Sequence, residues 1–115
     1  VNEVDCILCK IAAGEIKSEI IYQDQDIFVI KDINPQAPTH LLILPVEHYA
    51  NLGEVADKAP ELLTTLLAKC ADLGRQIAGE RGFRVVINTG PDGGQTVGHL
   101  HLHLLAGREL QWPPG

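Results

Sequence analysis

The stretch "GHLHLHLLAG" from Gly98 to Gly107 alternates strictly, a histidine at 99, 101 and 103 and a leucine after each. A period of two is the mark of a strand, whose successive side chains point to opposite faces. Leu100, Leu102 and Leu104 thus share a core face, and His99, His101 and His103 share the other. Elsewhere the rhythm changes. In "PELLTTLLAKCADLGRQIAGERG", Leu62, Leu63, Leu66, Leu67, Cys70, Leu73 and Ile77 recur at helical spacing and form the core stripe of the main helix. Cys70 is then a packed core thiol. "EIIYQDQDIFVIKDI" reads as a hairpin, with one strand to Tyr22, a turn at "QDQD" and a second strand from Ile27 to Lys31. "HLLILPV" from His40 is a buried strand, and "FRVVIN" is a strand ending at Asn88. "DCILCKIAAGE" reads as a short N-terminal helix, capped by Asp5 and ended near Gly14. "NPQAP" and the glycine-rich "TGPDGGQTVG" are loops.

Short connections between the strands favour antiparallel pairing. The expected architecture is α+β: a five-stranded antiparallel sheet with the long helix on one face and the short N-terminal helix beside it. A chain of 115 residues, 45% of them hydrophobic, suits a single domain spanning 1–115 with a real core. No apolar run is long enough for a membrane span. No basic stretch leading into an apolar run is visible, so no membrane partner and a cytoplasmic location are expected. The net charge of −6 argues against a nucleic-acid partner, which would need a basic face. A small phosphate-bearing ligand remains compatible, because a pocket is local. Trp112 in "QWPPG" is costly to leave wet and hints at a partner chain.

Three imidazoles in a row suggest chemistry rather than a solvated face. Alternate strand residues are about 6.6 Å apart, so the outer two histidines are separated by about 13 Å. Zinc–nitrogen bonds of about 2.0–2.1 Å cannot bring all three to one ion. Nucleophilic and acid–base work on a substrate lying along the strand fits better for His101 and His103. Directly upstream stand Gly93, Gly94, Gln95 and Thr96. Glycines admit close approach of backbone to a phosphate, and Thr96 adds a hydroxyl. Asp32 reads equally as a turn residue before "NPQAP" and as a ligand group. A lone histidine such as His40 is more often structural.

"GGQTVGHLHLHLLAG", "DINPQAPTHLLILPVEH", "FRVVINTG" and the terminal "WPPG" resemble the histidine triad (HIT) family over nearly the whole chain. The length and ending are similar to its nucleotide-binding branch of purine nucleoside phosphoramidases. The DNA-repair branch adds a zinc finger and a basic surface that this sequence does not show. The galactose-transferase branch has glutamine where His103 stands. The resemblance implies hydrolysis of adenosine 5′-phosphoramidates through a histidine–AMP intermediate. It makes His101 the nucleophile, oriented by the carbonyl of His99, with His103 donating to the phosphate. Thr96, where the family more often has serine, would assist the departing amine. His40 would support the triad's hydrogen-bond chain. Asp32 would hold the ribose, Asn88 the phosphate ester, and backbone groups of Gly94 and Gln95 the phosphate. Ile33, with Ile7, Leu8, Ile11 and Ile30, would wall the adenine, although these could equally be core. A homodimer with joined sheets is also implied.

"CILC" at Cys6 and Cys9 is ambiguous by spacing alone: a redox motif, a zinc half-site or chance. The redox reading wants a preceding strand in a βαβ unit, which is absent. Some superfamily members carry a Cys-Cys-His-His zinc site with this pattern. That resemblance implies structural Zn²⁺ on Cys6, Cys9, His48 and His99. Two alternatives to the phosphoramidase remain: a diadenosine polyphosphate hydrolase with the same nucleophile, and a nucleotide-binding regulator.

Overall fold

The computed structural model describes residues 6–115. Its elements are helix α1 (Ile7–Ala12), strands β1 (Ile20–Gln23), β2 (Ile27–Lys31) and β3 (Thr39–Pro45), helices α2 (Leu52–Lys58) and α3 (Pro60–Ala78), strand β4 (Arg84–Val86), the single helical turn α4 (Gly90–Gly93) and strand β5 (Leu102–Ala106). The five strands form one antiparallel sheet in the order β1-β2-β3-β5-β4. The expected α+β architecture is the one observed. Among the described residues no helix is long and apolar enough to cross a membrane.

The two faces of the sheet are used differently. On one, Ile27, Val29, Leu41, Ile43, Leu100, Leu102 and Leu104 pack with α3 through Leu66 and Cys70. On the other, Phe28, Ile30 and Leu44 pack with α1 through Leu8 and Ile11. This explains why β2 is buried at four consecutive positions. The α3 stripe is narrower than its sequence spacing suggests. Leu66, Cys70 and Gly74 are its buried residues, and Leu62, Leu63 and Leu73 flank them. Leu67 and Ile77 are exposed instead, Ile77 at the C-terminal end of the helix. Gly74 is needed there, because a Cβ would lie 2.5 Å from the ring of Phe83. Burial pushes the Cys70 thiol up to about 11, as expected of a packed core group.

Several boundaries differ from those the sequence suggests. The N-cap of α1 is Cys6, whose sulfur accepts from the Cys9 amide; Asp5 lies outside the described residues. β4 ends at Val86, so Asn88 stands two residues beyond the strand. The glycine loop contains the turn α4. The helix α2 has no long apolar repeat to announce it. Its signal is a capping box: Asn51 Oδ1 accepts from the Glu54 amide, while Glu54 Oε1 accepts from the Ala50 amide.

Candidate functional site

The β5 ladder begins at Leu102, so His99 and His101 precede the paired strand rather than lying within it. The backbone bends there because the Leu100 amide donates to the Tyr49 carbonyl at 2.7 Å, outside the sheet. The alternation nevertheless survives. The leucines enter the α3 core, and the rings of His101 and His103 meet at 5.0 Å on the opposite side. His40, from neighbouring β3, places its own ring 5.2 Å from that of His103.

Hydrogen-bond direction assigns the protons on these rings. A carbonyl only accepts, so His101 Nδ1, 2.7 Å from the His99 carbonyl, carries a proton. In the neutral ring Nε2 then keeps its lone pair. An amide only donates, so His40 Nδ1, 3.0 Å from the Gln36 N–H, is an acceptor. His40 therefore carries its proton on Nε2 and gives it to His103 Nδ1 at 2.9 Å. His103 is left with its own proton on Nε2. Burial pushes His103 down to about 4, with His101 and His40 acting in the same direction and Asp32 opposing. Its ring is thus neutral at pH 7 and available as a donor. Asp32 fills the expected turn role, Oδ1 accepting from the Asn34 amide, and its Oδ2 lies 3.4 Å from His40 Nε2.

A cavity of about 340 Å³ opens against this row. His101, His103, Asp32 and Thr96 are among its lining residues, together with the apolar Ile7, Leu8, Ile11, Ile30 and Ile33. Leu8, Ile11 and Ile30 are wall and core together, being buried. Ile33, also a lining residue, is 97% exposed, an apolar side chain with almost nothing packed on it. Ser18, Lys31, Leu42 and Val97 also line the cavity and carried no signal in sequence. Asn88 and His40 are not among the lining residues; His40 stands behind His103.

The loop before the triad departs from its expected use. The Gly94 amide donates to the Pro91 carbonyl and the Gln95 amide to the Gly90 carbonyl, each at 3.1 Å. Both N–H groups close the α4 turn and do not point outward as a phosphate cradle. Gly94, at φ +85°, supplies the left-handed residue that ends this turn. Gln95 fastens the loop through its side chain, donating to the carbonyls of Ala50 and Val97 and accepting from the Gly90 amide. Thr96 is the member of the loop set facing the cavity.

A second cluster lies where α1 meets the chain before β5. Cys6, Cys9, His48 and His99 bring one ligating atom each to within 4.8 Å of one another. His99 Nδ1 is 3.3 Å from Cys6 Sγ and 3.4 Å from Cys9 Sγ, and His48 Nδ1 is 3.3 Å from Cys9 Sγ. Tetrahedral zinc with ordinary bond lengths would separate sulfur and nitrogen ligands by about 3.6 Å. Two soft sulfurs and two imidazole nitrogens are also the donor set zinc prefers. His99 Nε2 donates to the Pro45 carbonyl at 2.9 Å, which leaves Nδ1 as the ligating atom. Burial pushes His99 down to about 4, so its ring offers a lone pair rather than a charge. The residues fit a zinc ion.

Comparison with known proteins agrees with this geometry. The HIT domain family matches residues 13–110. A 14 kDa zinc-binding protein of Zea mays is 44% identical over 95% of this chain and 87% of its own. The structure of a HIT family hydrolase from Legionella pneumophila superposes with a TM-score of 0.92 at 46% identity, covering 96% of this chain and all of that one. A histidine triad nucleotide-binding protein from Candida albicans gives 0.79 at 30% identity, over 95% of this chain and 83% of that one.

Proposed function

The chain belongs to the HIT domain family, and from that premise we propose that it is a purine nucleoside phosphoramidase, cleaving the P–N bond of adenosine 5′-phosphoramidates. The observation that carries this reading is the 2.7 Å bond from His101 Nδ1 to the His99 carbonyl, which leaves an unprotonated Nε2 on a ring lining the cavity. In the reaction the Nε2 lone pair attacks the α-phosphorus. A phosphorus–nitrogen bond to His101 forms as the bond to the amine breaks. The His103 Nε2–H, aimed by His40, donates to the phosphoryl oxygen as charge builds. Thr96 gives its hydroxyl proton to the departing amine and takes one back from the water that attacks next. Water then attacks the histidine–AMP intermediate, releasing AMP and restoring His101. Asp32 accepts from the ribose hydroxyls, and the isoleucine wall covers the base.

Cys6, Cys9, His48 and His99 would hold zinc as a structural ion. When bound, it contributes folding free energy, since no preformed site exists in the unfolded chain. It also fixes His99, whose carbonyl orients the nucleophile. A homodimer completes the reading. β4 is a three-residue edge strand, and such edges are usually covered. The Arg84 side chain ties it to the Gln111 carbonyl, beside the 81% exposed Trp112.

The test is rapid quenching of turnover with an AMP–lysine phosphoramidate, run beside a diadenosine polyphosphate. The expected result is an AMP adduct on His101 and preference for the P–N substrate. Preference for the polyphosphate would favour the related hydrolase, and binding without turnover would favour a nucleotide-binding regulator.

A further inference from the structure

The Gln36 amide on Nδ1 and the Asp32 carboxylate 3.4 Å from Nε2 favour the same tautomer of His40, and the chain holds that amide from an unexpected place. Gln36 is an exposed loop residue between β2 and β3. Its N–H donates to His40 Nδ1 at 3.0 Å. Its carbonyl accepts from Arg108 Nε at 3.0 Å, and the same guanidinium bonds the Glu109 carbonyl through Nη1 at 3.1 Å. The other hydrogen bonds described for residues 33–38 stay within the loop and its own ends: the Asn34 amide to Asp32, and the Gln36 side chain to the Asn34 carbonyl. Besides the bond to His40 at the start of β3, the Arg108 hydrogen bond ties this loop to the segment that follows β5. The neighbouring residue supports the same junction by packing. Gly107 has φ +100°, and a Cβ there would lie 2.8 Å from Pro38 Cβ.

We propose that Arg108 is a positioning residue for the proton relay: it holds Gln36 so that the Gln36 amide fixes the His40 tautomer, and through it the donor on His103. The catalytic consequence rests on the phosphoramidase reading; the tautomer does not. If the Gln36 amide withdraws, His40 is free to carry its proton on Nδ1. Its Nε2 then becomes an acceptor toward His103 Nδ1. His103 must answer by moving its own proton from Nε2 to Nδ1, and the donor facing the phosphoryl oxygen is lost. No proton is gained or released in this exchange; two rings change tautomer together.

The experiment compares Arg108→Ala with Arg108→Gln. Glutamine Nε2 sits the same number of bonds from the backbone as arginine Nε, so it keeps a donor near the Gln36 carbonyl without the charge. Long-range ¹H–¹⁵N correlation spectra read the His40 and His103 tautomers in both variants and in the parent protein. Arg108→Ala is expected to move part of the His40 population to the Nδ1–H form and to lower kcat about two- to tenfold, the worth of one net hydrogen bond, with KM little changed. Arg108→Gln is expected to retain the parent spectrum and most of kcat. Unchanged His40 and His103 signals in Arg108→Ala would overturn the proposal, whatever happened to kcat. So would equal loss in the alanine and glutamine variants, which would make the effect one of charge. A parent protein inert toward phosphoramidates would defeat the functional reading alone, because the spectra need no substrate.

Discussion

The chain holds two groups of histidines with other potential ligands close by, and they are built to opposite ends. Cys6, Cys9, His48 and His99 form one; Asp32, His40 and His103 form the other, and in each the ligating atoms lie within 4.8 Å of one another. Residue type alone would make both metal sites. The difference is the direction of one backbone hydrogen bond. In the first group His99 Nε2–H meets a carbonyl, that of Pro45, so the nitrogen facing the thiols keeps its lone pair. In the second, His40 Nδ1 meets an amide, that of Gln36, so the nitrogen facing His103 and Asp32 carries the proton. A lone pair aimed inward invites a cation. A proton aimed inward repels one and makes a relay. His99 links the first group to the second through His101: its ring lies in the first, and its carbonyl orients His101, whose ring meets that of His103.

The largest expected effect separates the two groups outright. His101→Ala should lower turnover by about 10⁴-fold or more, as loss of a nucleophile does, while zinc content and melting temperature stay at parental values. Comparable loss of metal would show that the groups are not separable. Breaking the other group should have the converse outcome. Chelation, or Cys6→Ala, should reduce stability by about 3–4 kcal/mol if zinc is normally 100–1,000-fold above its dissociation constant. That corresponds to a fall in Tm of more than about 10 °C in thermal melts. Activity measured below the new Tm should fall far less. Metal analysis under excess zinc should count about one ion per chain; a second ion abolished by Asp32→Asn would contradict the relay's polarity.

Smaller effects sharpen the relay side. Gly107→Ala should destabilise by about 1–3 kcal/mol, because its φ of +100° and its contact with Pro38 leave no room for a side chain. Zinc content should not change, which equilibrium denaturation and metal analysis together would establish. The last effect is in pH. Burial holds His103 at about 4 in the folded protein, below its ordinary 6.5. The unfolded chain therefore binds more protons between these values, and the His103 contribution to stability is present above pH 6.5 and lost as pH falls toward 4. His103→Asn should flatten that part of the Tm-against-pH curve.

How much of this was legible in sequence depends on whether side chains or backbone carry the information. Alternation showed the leucine face of β5, and helical spacing showed Leu66 and Cys70 of the α3 core line but not Gly74. The strand assignment overran by three residues because nothing in "GHLHLH" marks the Leu100 amide as bound to Tyr49. The four residues proposed for zinc came from residue types and a family resemblance, and the structure gathers all four. Gln36 was invisible because it acts through main-chain atoms that any residue at position 36 would offer, and Arg108 because its side chain bonds that main chain. The glycine loop misled for the same reason: glycine announces left-handed backbone at Gly94, not whether the amide that follows points outward or closes the turn.

The central claim is that backbone partners fix which nitrogen of each histidine carries its proton, and the most direct measurement is the tautomer map of the parent protein by long-range ¹H–¹⁵N correlation at neutral pH. The account predicts the Nδ1–H form for His101 and the Nε2–H form for His40, His103 and His99, with the His99 Nδ1 signal responding to zinc. An Nε2–H His101 or an Nδ1–H His40 would contradict it.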